Sequence, residues 1–241
     1  MTSGRPAMGM ADFHTHIIPG IDDGSRSAEM SLEMIKTSVE YGAGAIVLTP
    51  HFYATHDNPK HFFEKREKCM KNLASAGAGK LIPIRYGAEV AFFDGIAETD
   101  ELKKLRISGT KNILIEMPFH PWPQRVADEI MALNRDRDYQ IILAHIERFF
   151  GYFKPETFDM FLSQGILMQS NAEFFIDQRT RKKALKLLEE GKIHILGSDC
   201  HNMTTRKPNL GEACEIISGR LGDGVIEEMV KRSHLLLKKV I

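Results

Sequence analysis

The chain has 241 residues, 43% of them hydrophobic and 27% charged, a globular balance that excludes wholesale disorder and allows a substantial core. Lysine plus arginine equals aspartate plus glutamate at 32 each, so no overall field draws the protein to nucleic acid or acidic membranes. No run nears the roughly 18 apolar residues of a bilayer span, and the start lacks the order of a signal peptide. Three scattered cysteines, Cys69, Cys200 and Cys214, are too few for a disulfide framework and suit a reducing compartment, the cytoplasm by default. The length suits one barrel-sized domain over residues 10–241, with the small and polar residues 1–9 as a flexible lead-in.

Short apolar, β-branched runs alternate with stretches of helical period. The strand cores are expected at Ala11 to Phe13, Ala45 to Thr49, Ile82 to Gly87, Asn112 to Ile115, Ile141 to Ala144, Ile166 to Gln169 and Ile193 to Gly197. Between them, Ala28 to Tyr41, Pro59 to Ala76, Pro123 to Arg135 and Thr180 to Glu190 carry apolar residues at three- and four-residue spacing, as amphipathic helices do. Leu210 to Ser218 and Gly224 to Arg232 add two helices at the end. This order predicts an α/β fold, a distorted (β/α)7 TIM-like barrel with extra C-terminal helices.

Active sites of such barrels gather at the C-terminal ends of the strands, and metal-binding side chains fall there repeatedly. His14 and His16 follow the first strand, His51 the second, Glu89 the third, Glu116 the fourth, His145 the fifth, and Asp199 with His201 the seventh. Residues two apart in extended chain share a face, so His14 with His16, and Asp199 with His201, can each aim at one centre. Imidazole with carboxylate, and no paired cysteines, suits manganese, iron or zinc rather than a thiolate structural site. Asp22 and Asp23 are either site carboxylates or turn residues capping the next helix.

His14-Thr-His16, Thr49-Pro-His51, Gly87-Ala-Glu89, Ile115-Glu116, Ala144-His145-Ile-Glu-Arg148 and Gly197-Ser-Asp199-Cys-His201-Asn together resemble the polymerase and histidinol phosphatase (PHP) superfamily. Within it, Pro19-Gly-Ile-Asp-Asp-Gly-Ser25 and the His-Ile-Glu-Arg segment are similar to the bacterial capsule-biosynthesis tyrosine phosphatases of the CpsB/YwqE type. The resemblance implies a PHP fold and three divalent ions. His14, His16, Glu89 and Asp199 would hold the first, Glu89, Glu116 and His145 the second, and Asp23, His51 and His201 the third. It also implies phosphate contacts from Arg148 and Arg206, and a bacterial tyrosine autokinase with a tyrosine-rich tail as the protein substrate.

The expected reaction is hydrolysis of phosphotyrosine by a metal-bound water, its pKa lowered from about 15.7 toward 7. Three other readings stand beside it: a PHP phosphatase acting on a small molecule such as histidinol phosphate, a metal-dependent amidohydrolase, and a non-catalytic metal-stabilised module. Cys200 and Arg206 fit the Cys-x5-Arg spacing of thiolate phosphatases. The segment between them has no glycine to wrap a phosphate, however, and alternation turns Cys200 away from its neighbours. His120 either reaches substrate from a Pro-rich loop or is a solvated loop histidine. His56 and His61 are expected at the surface, and His194 and His234 in structural roles.

Overall fold

A computed structural model describes residues 9–238, so the expected lead-in lies outside the described residues except for Gly9. The strands are β1 (Ala11–Thr15), β2 (Ala45–Leu48), β3 (His51–Phe52), β4 (Ile84–Tyr86), β5 (Glu89–Ala91), β6 (Asn112–Glu116), β7 (Gln140–Leu143), β8 (Leu167–Asn171) and β9 (Ile195–Gly197). All their pairings are parallel, in the orders β1-β2-β4 and β3-β5-β6-β7-β8-β9. The result is an α/β fold whose parallel strands form a half-barrel.

The second and third expected strands, seen as β2 and β4, are each followed by a short strand that was not expected, β3 and β5. Pro50 offers no N–H to a ladder, and β2 stops before it to resume as β3. The partner breaks at the same level, around Gly87 and Ala88, with Gly87 N donating to Leu48 O (2.8 Å) and Glu89 N to Pro50 O (3.0 Å). Arg66, almost fully buried, holds this break by donating to Gly87 O (2.5 Å) and Lys104 O (3.2 Å). At the far end of the order, Thr15 bridges Cys200, while Asp199 N donates to His14 O (2.8 Å) and His16 N to Cys200 O (2.9 Å). The chain leaving β9 thus lies against β1.

The helices are α1 (Ala28–Glu40), α2 (Pro59–Ser75), α3 (Gln124–Arg135), α4 (Pro155–Ser163), α5 (Glu173–Ile176), α6 (Arg181–Glu189), α7 (Leu210–Leu221) and α8 (Asp223–Leu236). Ser27 caps α1 by accepting from Met30 N, and Asn58 caps α2 by accepting from His61 N, with Pro59 in its first turn. α8 packs across the foot of the sheet, where Ser233 Oγ accepts from Ala11 N (3.2 Å) and Leu236 O accepts from Asn112 Nδ2 (2.6 Å). Closing that end with a helix leaves the opposite, C-terminal ends of the strands for the site. No helix among the described residues is long and apolar enough to cross a membrane.

Candidate metal centre

His14 and His16 leave β1 on one face, both buried. The Nδ1 of His14 meets Gln169 Oε1 at 3.1 Å, and the Nδ1 of His16 meets Asp22 Oδ2 at 2.8 Å. Those acceptors fix the proton of each neutral ring on Nδ1, so the two Nε2 atoms turn lone pairs toward each other at 3.1 Å. Glu89 Oε2 joins them at 3.1 and 3.2 Å. Three acceptors at this spacing require positive charge among them, as a proton or as a metal ion. Burial works against a charged ring, yet the hydrogen bonds and charges of Asp22 and Glu89 push His16 up to about 10.

The neighbouring side chains extend the same pattern. His145 Nε2 is 2.7 Å from Glu89 Oε1 and 3.2 Å from Glu116 Oε1, and despite burial these carboxylates push it up to about 9. His51 Nδ1 is 2.9 Å from Glu89 Oε2 without hydrogen-bond geometry. Asp23, with a side chain 65% exposed, places Oδ1 3.5 Å from His51 Nε2 and 3.4 Å from His201 Nε2. His201 Nδ1 meets Asp199 O at 2.9 Å. Burial, His16 and Arg206 push His201 down to about 4, which keeps it neutral with Nε2 as a lone-pair donor.

Glu89 Oε2 and His201 Nε2 are buried without a hydrogen-bond partner, as atoms arranged for a cation would be. Among the described residues, three sets have spacing fit for an ion: His14 with His16 and Glu89; His16 with Asp23, His51 and His201; and His51 with Glu89 and Glu116. Their nitrogen and oxygen donors fit a divalent transition metal. The sets overlap more than the sequence suggests, because His16 belongs to two of them and His51 faces Glu89 and Glu116 as well as Asp23.

Asp199 stands 3.6 and 3.5 Å from the Nε2 atoms of His14 and His16 through Oδ1. Arg206 Nη2 reaches that oxygen at 2.7 Å, and Arg148 Nη2 reaches Oδ2 at 2.7 Å. Both arginines are therefore at the centre, each anchored by one nitrogen, with side chains 38% and 39% exposed. His145 and Asp199 hold positive φ, 29° and 54°, a strained backbone of a kind found at functional sites and costing roughly 1–3 kcal/mol each. Local hydrogen bonds hold both, from His145 N to Gln169 Oε1 (2.8 Å) and from Asp199 N to His14 O (2.8 Å). Gly197 is required for the close approach, since a Cβ there would lie 2.4 Å from His14 Cβ.

Sequence reasoning missed the residues that orient these groups. Gln169 and Asn171 lie on β8, the one strand position with no expected ligand. Gln169 accepts at Oε1 from the His14 ring and from His145 N, and donates through Nε2 to Asn171 Oδ1 (3.0 Å). Asn171 Nδ2 then donates to Asp199 Oδ2 (2.8 Å). Buried Asp12 ties β1 to the chain after β9 by accepting from His14 N (3.3 Å) and Ser198 N (2.9 Å). Asp22, weighed as either a site carboxylate or a turn residue, accepts from Gly24 N (3.0 Å) and His51 N (3.1 Å) besides facing His16.

The remaining candidates lie apart from the cluster or beside it. Cys200 is fully buried within the apolar core, and burial with the nearby Asp12 carboxylate pushes its thiol well above the usual range, opposite to a thiolate nucleophile. His120 is exposed on its loop, 3.1 Å from Pro121 O. His56 and His61 are exposed, yet both line a cleft that begins at Asp23 and His51. His194 Nδ1 accepts from Met168 N (3.0 Å) and His234 Nε2 meets Gly9 O (2.7 Å).

Comparison with known proteins places the chain in a family. Tyrosine-protein phosphatase YwqE of Bacillus subtilis is 30% identical over 95% of this chain and 92% of its own length. Tyrosine-protein phosphatase CpsB of Streptococcus agalactiae is 30% identical over 88% of this chain and 91% of its own. A chain from the crystal structures of YwqE from Bacillus subtilis and CpsB from Streptococcus pneumoniae, described as unique metal-dependent tyrosine phosphatases, matches with TM-score 0.81 and 26% identity over 96% of both chains. The phosphotriesterase homology protein of Escherichia coli shares the fold alone, at 10% identity and TM-score 0.56 over 97% of this chain and all of that one. Residues 10–236 match the family described as capsular polysaccharide synthesis, CpsB/CapC, and the chain belongs to that family.

Proposed function

We propose that this chain is a metal-dependent protein-tyrosine phosphatase serving capsular or exopolysaccharide synthesis. The observation that carries the reading is the convergence of His14, His16, Glu89 and Asp199 on one centre, with Arg148 and Arg206 fastened to its rim. The names of the relatives YwqE and CpsB support it. Residues 10–241 act in this reading as one catalytic unit, a distorted (β/α)7 barrel working in the cytoplasm. The substrate is the tyrosine-rich tail of a tyrosine autokinase.

Three ions, manganese foremost, are assigned as the resemblance implies: His14, His16, Glu89 and Asp199 for the first, Glu89, Glu116 and His145 for the second, Asp23, His51 and His201 for the third. Divalent ions held by these residues would supply a water-derived nucleophile at neutral pH and positive charge for the phosphoryl oxygens. The chain's own residues set the geometry. Gln169 and Asp22 keep the Nε2 atoms of His14 and His16 turned inward. The guanidinium nitrogens of Arg148 and Arg206 that Asp199 does not engage are free to grip a phosphoryl group and spread its charge in a loose transition state. A phenol, with pKa about 10, leaves more readily than an alkoxide and depends less on a general acid.

The test is a side-by-side kinetic comparison of a phosphotyrosine peptide with histidinol phosphate on manganese-loaded protein. A kcat/KM at least about tenfold higher for the peptide supports the reading, a difference of about 1.4 kcal/mol in transition-state binding. The reverse preference would assign the chain to a small-molecule phosphatase instead.

A further inference from the structure

We propose that the cleft beside His51, walled by Tyr53, is the subsite for the aromatic ring of the phosphotyrosine substrate; this deepens the phosphatase reading and rests on it. His14, His16 and Glu89 lie buried at the floor of the centre, whereas Asp23 and Tyr53 stand at its mouth, Tyr53 being 39% exposed. A cleft of about 700 Å³ runs outward from Asp22, Asp23 and His51, past Tyr53, to Phe62 and Lys65.

The Tyr53 ring stacks on His51, with centroids 5.2 Å apart and planes 27° from parallel, and meets His56 edge-on at 6.0 Å. The Lys65 ammonium, which also lines the cleft, donates to Ile21 O (2.7 Å).

Depth selects the ligand. A phosphoserine carries its phosphate a single methylene from the backbone, and could reach the floor only if the peptide itself entered the cleft. A phosphotyrosine carries it a whole ring farther out. Its phosphate can reach the centre while the peptide stays at the rim, and its ring then passes Tyr53. Such aromatic pairs contribute about 0.5–1.5 kcal/mol beyond area burial.

The experiment titrates manganese-loaded protein with phenylphosphonate and methylphosphonate, probes that share a head group and differ by the ring. Tyr53→Ala should weaken phenylphosphonate about fivefold while changing methylphosphonate by less than about twofold. Tyr53→Phe, which keeps the ring, should retain phenylphosphonate affinity. Equal weakening of both probes by Tyr53→Ala, or of neither, overturns the subsite and leaves the phosphatase reading standing. If the wild-type protein binds neither probe, the phosphatase reading falls and the subsite falls with it.

Discussion

The Nε2 atoms of His14 and His16 face each other at 3.1 Å, each ring having its Nδ1 committed to another side chain. Without metal, the charge this arrangement demands is met by protons, since His16 and His145 are pushed up to about 10 and 9. Both pKa values exceed 7, so each ring carries a proton at neutral pH until an ion displaces it. Metal binding should therefore release about one proton from each of these histidines at pH 7. Calorimetric titration with manganese in buffers of different ionisation enthalpy measures the release. Proton-neutral binding would show that the ion sits elsewhere.

His14→Ala, Glu89→Ala and Asp199→Ala each remove a donor shared within one cluster. Loss of a group that merely orients a ligand typically costs 10–100-fold, so each of these variants should lose more than about 100-fold in kcat with the circular dichroism spectrum unchanged. Near-normal kcat in all three folded variants would separate the cluster from the chemistry.

Cys200 decides between two phosphatase mechanisms. It packs in the core rather than facing the cluster, so Cys200→Ser should keep kcat within a few-fold of wild type. The buried hydroxyl should cost about 1–3 kcal/mol of stability, read as a lower denaturation midpoint. A loss of several orders of magnitude in a folded, metal-loaded variant would point to a thiolate nucleophile.

The candidate positions that the fold brings together were legible because a histidine or carboxylate recurs just past nearly every expected strand. Gln169 and Asn171 were not, since an amide in a strand has no spacing that announces a partner on another strand. Pro50 accounts for the break between β2 and β3 once the fold is seen, but no strand was expected beyond it, and nothing in sequence placed Arg66 against the matching break at Gly87. α4 was missed although Lys154-Pro155-Glu156 starts it and Phe158 and Phe161 face the core. It is nine residues long, too short for its period to be distinct. The shared positions of His16 and His51 depend on where five different strands end relative to one another, which only the folded sheet defines.

His194 offers a check on the fold away from the centre. Burial and Arg232 push it down to about 4, against about 6.5 in the unfolded chain. Between those values the unfolded state binds more protons, so stability should fall as pH drops through this window. Allowing for its partial exposure, the drop from pH 7 to 5 should be on the order of 1 kcal/mol greater for wild type than for His194→Asn. Parallel pH profiles in urea denaturation would contradict this placement.

The central claim is that the cluster around His14, His16, Glu89 and Asp199 does its chemistry through bound metal. It is tested most directly by phosphotyrosine-peptide hydrolysis before chelation, after complete metal removal, and after resupply of manganese, iron or zinc separately. The account predicts that removal abolishes hydrolysis and that manganese restores it. Undiminished hydrolysis by protein shown to be metal-free would contradict it.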